Sequence, residues 1–106
     1  MRRAPDGKNQ GMALLNDDEI AAGLPDEWEH AGDEIRKDFD LGTFPAAIAF
    51  VNRVADAAEA ADHHPDIDIR YNRVLIALST HSENGVTDAD IALAGKVEEL
   101  AQGSKE

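Results

Sequence analysis

The longest helical pattern in the chain lies over residues 43–62. Phe44, Ala47, Ile48, Val51, Val54, Ala55 and Ala58 recur there at three- and four-residue spacing, which predicts an amphipathic helix with that stripe facing the core. Thr43 suits the N-cap, and Pro45 is tolerated in a first helical turn. Pro65 stops the pattern. A second stripe, Ala46, Phe50, Ala57 and Ala61, runs beside the first. The helix is therefore apolar over more than one face, and a monomer's surface helix needs only one. Phe50, the one large residue of the second stripe, points to a subunit contact.

The flanking patterns are shorter. Asn16 can cap a first helix, with Glu19 at the capping-box position, and Gly23 and Pro25 end it. Trp28 opens a short extended piece, "EWEHA". Gly32-Asp33 turns the chain into "EIRKDFD", where Ile35, Lys37 and Phe39 alternate with Arg36, Asp38 and Asp40, the signature of a hairpin. "DIDIR" places Ile67 and Ile69 on one face, "YNR" is a tight connection with an Asn suited to a turn, and "RVLIALSTH" is apolar on both faces in its middle. That strand belongs at the centre of a sheet. Residues 82–86, with Asn84-Gly85, form a loop. Thr87 caps a last helix with Asp90 at its capping-box position, and Ile91, Ala94, Val97 and Ala101 face inward.

The order α-β-β-α-β-β-α predicts an α+β fold, a four-stranded antiparallel sheet with three helices on one face. The uncovered face and an edge strand then call for a partner or polar cover. Residues 14–102 read as a single domain. Residues 1–13, with Pro5, Gly7 and Gly11, read as a flexible arm, and residues 103–106 as a frayed end.

Composition narrows the function classes. The chain has 106 residues, 42% of them apolar, enough for one modest core. No run is long enough to span a bilayer, and no apolar stretch follows the N-terminal arginines as a signal peptide requires. There is no cysteine, which excludes disulfides, thiolate catalysis and cysteine zinc sites. These features lead us to expect a cytoplasmic protein. The net charge of −12 repels phosphates and anionic lipids, so neither nucleic acid nor a membrane is an expected partner.

Three of the four histidines fall in "HHPDIDIRYNRVLIALSTH". His63 and His64 sit where the long helix breaks, and His81 where the central strand ends, so the three rings are expected to converge on one pocket at the rim of the sheet. Three imidazoles suit a metal site, an anion site or acid–base chemistry. Adjacent side chains on an extended backbone point apart, which argues against chelation by the His-His pair. Acid–base work tolerates that arrangement, because one ring can hold a substrate while others move protons. No nucleophile elbow, dinucleotide fingerprint or phosphate-binding loop is present.

The stretch "EAADHHPDIDIRYNRVLIALSTHSENGVTDAD" closely resembles the pterin-4a-carbinolamine dehydratases. Their pattern is an acidic residue, three residues, His-His-Pro, five, an aromatic, nine, His, then eight or more to an Asp. Glu59, His63, His64, Pro65, Tyr71, His81 and Asp90 keep every interval. The likeness extends upstream through "DDEIAAGLPDEWE" and "FPAAIAFVNRVADAAEAADHHP" and covers residues 14–101. The resemblance implies a hydro-lyase that converts 4a-hydroxytetrahydropterin to quinonoid dihydropterin, as part of tetrahydrobiopterin recycling. It implies no metal and no organic cofactor. It implies that His63, His64 and His81 are the catalytic residues, with His63 and His81 as acid and base and His64 orienting the pterin. His63, His64, Pro65, Thr80, His81 and Ser82 would contact the substrate, and Glu59 and Asp90 would support the site. Asp90 also has a plain reading as a helix cap.

The same resemblance carries a second class, a dimerisation cofactor or assembly factor acting through the long helix without catalysis. Retention of all three histidines favours catalysis. A homodimer or homotetramer is expected, joined through the exposed sheet and, in the tetramer, through the long helices as well.

Overall fold

The computed structural model describes residues 13–103. The expected arm and frayed end lie outside these residues, apart from Ala13 and Gly103. Helix α1 (Asp17–Gly23) begins at the expected capping box, in which Glu19 N–H donates to Asn16 Oδ1 and Asn16 N–H to Glu19 Oε1, both at 2.8 Å. Strands β1 (Glu29–Ala31) and β2 (Glu34–Asp40) form a hairpin turned at Gly32, whose φ of 62° is the left-handed region that glycine enters without strain. Helix α2 (Phe44–Ala61) starts at Thr43, whose hydroxyl accepts from Ala46 N–H at 3.2 Å. Strands β3 (Asp66–Arg70) and β4 (Arg73–Leu78) form a second hairpin, and helix α3 (Asp88–Gln102) closes the chain.

The sheet order is β1-β2-β4-β3 with every pair antiparallel. The apolar strand β4 is central, as its two-sided apolar pattern requires. Register places Ile35 opposite Leu78, Lys37 opposite Ile76 and Phe39 opposite Val74, with Ile67 and Ile69 of β3 continuing the same face. This face forms one hydrophobic cluster with Ile20 of α1, Ala46, Phe50, Val54 and Ala58 of α2, and Leu93, Ala94, Val97 and Ala101 of α3. The chain is thus the expected α+β fold. The opposite face carries charge, including Arg73 paired with Asp38 at 3.1 Å and Arg36 with Glu29 at 3.3 Å. Polar cover therefore shields much of that face. No helix among the described residues is long and apolar enough to cross a membrane.

Three local expectations need correction. The core side of α2 is Ala46, Ala47, Phe50, Val54 and Ala58, whereas Phe44 is 47% exposed and Ala55 faces solvent. Phe50 is 0% exposed, its ring 5.1 Å from that of Phe39. It anchors α2 to the sheet of its own chain and is not available as a subunit contact. Second, β4 ends at Leu78, short of His81. Thr80 pairs with Gly85 in an isolated bridge, and His81–Glu83 form a 3-10 turn. Third, Trp28 precedes β1. Its indole N–H donates to Glu98 Oε2 at 2.8 Å, an oxygen that Lys37 Nζ also reaches at 2.6 Å, so one carboxylate fastens α3 to both arms of the first hairpin.

Candidate active site

The end of α2 sets the position of His63. Asp62 takes the left-handed conformation (φ 53°), a place usually filled by glycine. Asp62 N–H donates to Glu59 O at 3.2 Å and His63 N–H to Ala58 O at 3.0 Å, the two bonds of a Schellman turn. The chain reverses there, and the His63 ring reaches the first turn of α3. Its Nε2 lies 2.5 Å from Asp90 Oδ1, with the His63 side chain 12% exposed and that of Asp90 fully buried.

Asp90 is the helix cap that its sequence position suggests, and it also bonds side chains outside its own helix. As the third residue of α3 it closes a capping box, accepting from Thr87 N–H at 2.8 Å through Oδ2. The same Oδ2 accepts from the Thr80 hydroxyl at 2.8 Å, and Oδ1 faces His63. A buried carboxylate needs such donors to offset its lost hydration. A carboxylate oxygen only accepts, so the His63 nitrogen facing it carries the proton as Nε2–H. In the neutral ring the lone pair is then on Nδ1, which is left for chemistry.

His81 follows Thr80 directly and opens the 3-10 turn; it is exposed, and among the described residues its ring has no side-chain partner. His64 is exposed and pairs with Glu59, also exposed, at 2.8 Å. Pro65 is half-buried and Ser82 exposed. Thr80 is buried with its hydroxyl turned inward to Asp90, so any contact it makes with a ligand comes from its backbone. Tyr71 is 72% exposed and left-handed (φ 54°) at the β3–β4 turn, which also holds Asn72 as expected. Asn72 donates from Nδ2 to Gly42 O at 3.2 Å and ties that turn to the loop before α2.

An open groove of about 460 Å³ runs between α2 and α3 beside His63. Ala57, Ala60 and Ala61 form one wall and Ala89, Ala92 and Leu93 the other, with Lys96 at its rim. His63 lines this groove; His64 and His81 do not. Hydrogen bonds thus join His63, Asp90 and Thr80, and the peptide chain joins His81 to Thr80, while His64 stands apart with Glu59. Sequence reasoning missed Thr87. Its signal was its cap position, because the hydroxyl of a cap next to a buried acid is itself drawn into that acid's network. No group of three or more His, Cys, Asp or Glu among the described residues is placed to hold one metal ion.

A family model described as pterin 4 alpha carbinolamine dehydratase matches residues 13–100. A protein of Nocardia farcinica, provisionally named a pterin-4-alpha-carbinolamine dehydratase, is 54% identical over 91 residues, covering 84% of this chain and 96% of the relative. A protein of Roseiflexus castenholzii with the same provisional name is 54% identical over 90 residues, 83% of this chain and 97% of the relative. The crystal structure of a transcriptional coactivator/pterin dehydratase from Brucella melitensis superposes with a TM-score of 0.80 at 37% identity, covering 84% of this chain and 99% of that one. A pterin dehydratase-like protein identified as a RuBisCO assembly factor in the alpha-carboxysome superposes with a TM-score of 0.63 at 27% identity, over 71% of this chain and 89% of that one. With a match that spans nearly all of the described domain and relatives aligned over almost their full length, this chain belongs to the pterin 4 alpha carbinolamine dehydratase family.

Proposed function

We propose that this chain dehydrates 4a-hydroxytetrahydropterin to quinonoid dihydropterin by histidine acid–base catalysis, returning oxidised pterin to the pool that a reductase recycles to tetrahydrobiopterin. The observation that carries this reading is the His63–Asp90 pair, a buried carboxylate 2.5 Å from an imidazole nitrogen. Such a partner sets the ring's tautomer and orientation. In the reaction the 4a-hydroxyl takes a proton, the C4a–O bond breaks, water leaves, and the N5 proton is lost as the C4a=N5 double bond forms. The net change is loss of water. Nothing is oxidised or reduced, so the chemistry calls for no electron carrier.

His63, with its lone pair on Nδ1, takes the N5 proton. His81, exposed at the start of the 3-10 turn, gives a proton to the departing hydroxyl. His64, tied to Glu59, orients the pterin, and backbone groups at Pro65, Thr80, His81 and Ser82 contact its ring system. The test is the dehydration rate of the wild-type chain against His63→Ala. A positioned acid or base accounts for roughly a hundredfold or more in rate, and His63→Ala should lose that much. Wild-type kcat in the variant would defeat the assignment.

We also propose that the chain assembles as a homodimer or homotetramer. With Phe50 internal, the sheet edges β1 and β3, whose outer backbone groups invite another strand, support this better than α2 does. The second functional reading is help in another protein's assembly. It rests on the structural neighbour identified as a RuBisCO assembly factor, at 27% identity. The buried His63–Asp90 pair favours catalysis, since a helper acting through a helix surface needs no oriented imidazole.

A further inference from the structure

We infer that Thr80 is a positioning residue for catalysis, acting through its side chain on Asp90 and through its backbone on His81. The inference rests on the dehydratase reading above and extends it to a residue whose side chain touches neither substrate nor histidine.

The direction of each hydrogen bond can be worked out. The Thr80 hydroxyl has one proton, and Asp90 Oδ2 at 2.8 Å can only accept, so the proton goes there. Thr80 Oγ1 also lies 2.7 Å from Thr87 Oγ1, and with its own proton committed it must accept from Thr87. Thr87 Oγ1 in turn accepts from backbone N–H groups of α3, including that of Ala89 at 3.3 Å. The chain of donors therefore runs one way, from the α3 N-terminus through Thr87 and Thr80 into Asp90, and leaves Oδ1 to receive His63 Nε2–H. Thr80, Thr87 and Asp90 are all buried, so water does not replace a lost member at low cost.

The backbone of Thr80 controls the other histidine. Thr80 N–H donates to Gly85 O at 2.8 Å, and Thr80 O accepts from Glu83 N–H at 2.9 Å. These bonds close the tight loop that begins with His81 and ends in left-handed Asn84 (φ 60°). One residue thus fixes the start of the loop bearing His81 and, two hydrogen bonds away, the ring of His63. A residue with this placement sets the relation between the proposed acid and base, and its loss should lower kcat more than it raises KM.

The experiment compares wild type, Thr80→Val and Thr80→Ser in two measurements. Steady-state dehydration separates kcat from KM. Nitrogen–proton correlation NMR of the imidazoles reports the His63 tautomer, its signals identified by their absence in His63→Ala. Wild type should show His63 as the Nε2–H tautomer. Thr80→Val, close in volume but without the donor, leaves the carboxylate in place but less firmly held, so His63 should stay Nε2–H with imidazole signals shifted from their wild-type positions, and kcat should fall by about tenfold or more, the usual effect of removing a group that orients a histidine through a carboxylate. Thr80→Ser should restore both. Unshifted His63 signals or an unchanged kcat in folded Thr80→Val overturns the inference. Thr80→Ala, which removes the same donor without adding a methyl group, is the second variant. Loss of fold in both Val and Ala variants would make the hydroxyl structural and also overturn it. Absence of dehydration by wild type would defeat the dehydratase reading, while the shift of the His63 signals would still decide the link from Thr80 to His63.

Discussion

Asp90→Asn isolates the role of the buried carboxylate. The substitution keeps size and shape and replaces one oxygen by an NH2 group. The amide oxygen has two donors to satisfy on one side, the Thr80 hydroxyl and Thr87 N–H, each at 2.8 Å. It will stay with them, and the amide nitrogen then faces His63, where the carboxylate oxygen had lain 2.5 Å from Nε2. Two N–H donors cannot share that contact. The ring relieves the conflict by moving its proton to Nδ1 and accepting with Nε2. The lone pair proposed to take the N5 proton is then gone. A dyad holding the wrong tautomer loses roughly a hundred- to ten-thousandfold in kcat, and we expect a loss in that range. Folding should survive, because the cap bond to Thr87 persists and one altered buried hydrogen bond costs about 1–3 kcal/mol against a typical domain stability of about 5–15 kcal/mol. Stopped-flow dehydration gives kcat and KM, and urea denaturation checks the fold. A folded Asp90→Asn protein with wild-type kcat, or one altered in KM alone, would refute the tautomer argument.

Phe50→Ala should destabilise the monomer by about 3–5 kcal/mol, as deletion of a fully buried aromatic does, seen as a lower urea midpoint without a change in oligomer mass; a smaller mass with intact stability would return Phe50 to a subunit interface. His64→Ala should raise KM and leave kcat near wild type, because His64 is exposed and, among the described residues, paired with the exposed Glu59; a kcat loss as large as that of His63→Ala would give His64 a chemical role. Exhaustive chelation should leave the rate unchanged, since among the described residues no three His, Cys, Asp or Glu side chains are placed to hold one ion; a loss restored by added zinc would point to a metal site.

Local signals carried most of the fold. Both capping boxes, Asn16 with Glu19 and Thr87 with Asp90, involve residues three apart, so one stretch of chain holds all their information. The hairpin at Gly32 and the central place of β4 follow equally from short patterns. The phase of α2 did not. Ala46, Ala47, Ala49, Ala55, Ala57, Ala58, Ala60 and Ala61 surround its axis, and alanine fits a buried or an exposed face alike, so periodicity left the rotation of the helix open. Phe50 faces the core because Phe39 of β2 is there to receive it, a contact between distant parts of the chain. The site shows the same division. The resemblance picked out His63 and Asp90, but their contact spans 27 residues and depends on the left-handed turn at Asp62. The inward-turned hydroxyl of Thr80 has no sequence signal of its own, because it arises where the end of β4 meets the first turn of α3.

The most direct test of histidine acid–base dehydration is the turnover of 4a-hydroxytetrahydropterin at saturating substrate by wild type and by the double variant His63→Ala/His81→Ala. Each rate is read above the spontaneous reaction in buffer. The account predicts a wild-type rate proportional to protein concentration, and a folded double variant whose rate falls to the spontaneous level or close to it. A double variant that turns over substrate at the wild-type rate would contradict the account, and so would a wild-type rate no faster than buffer.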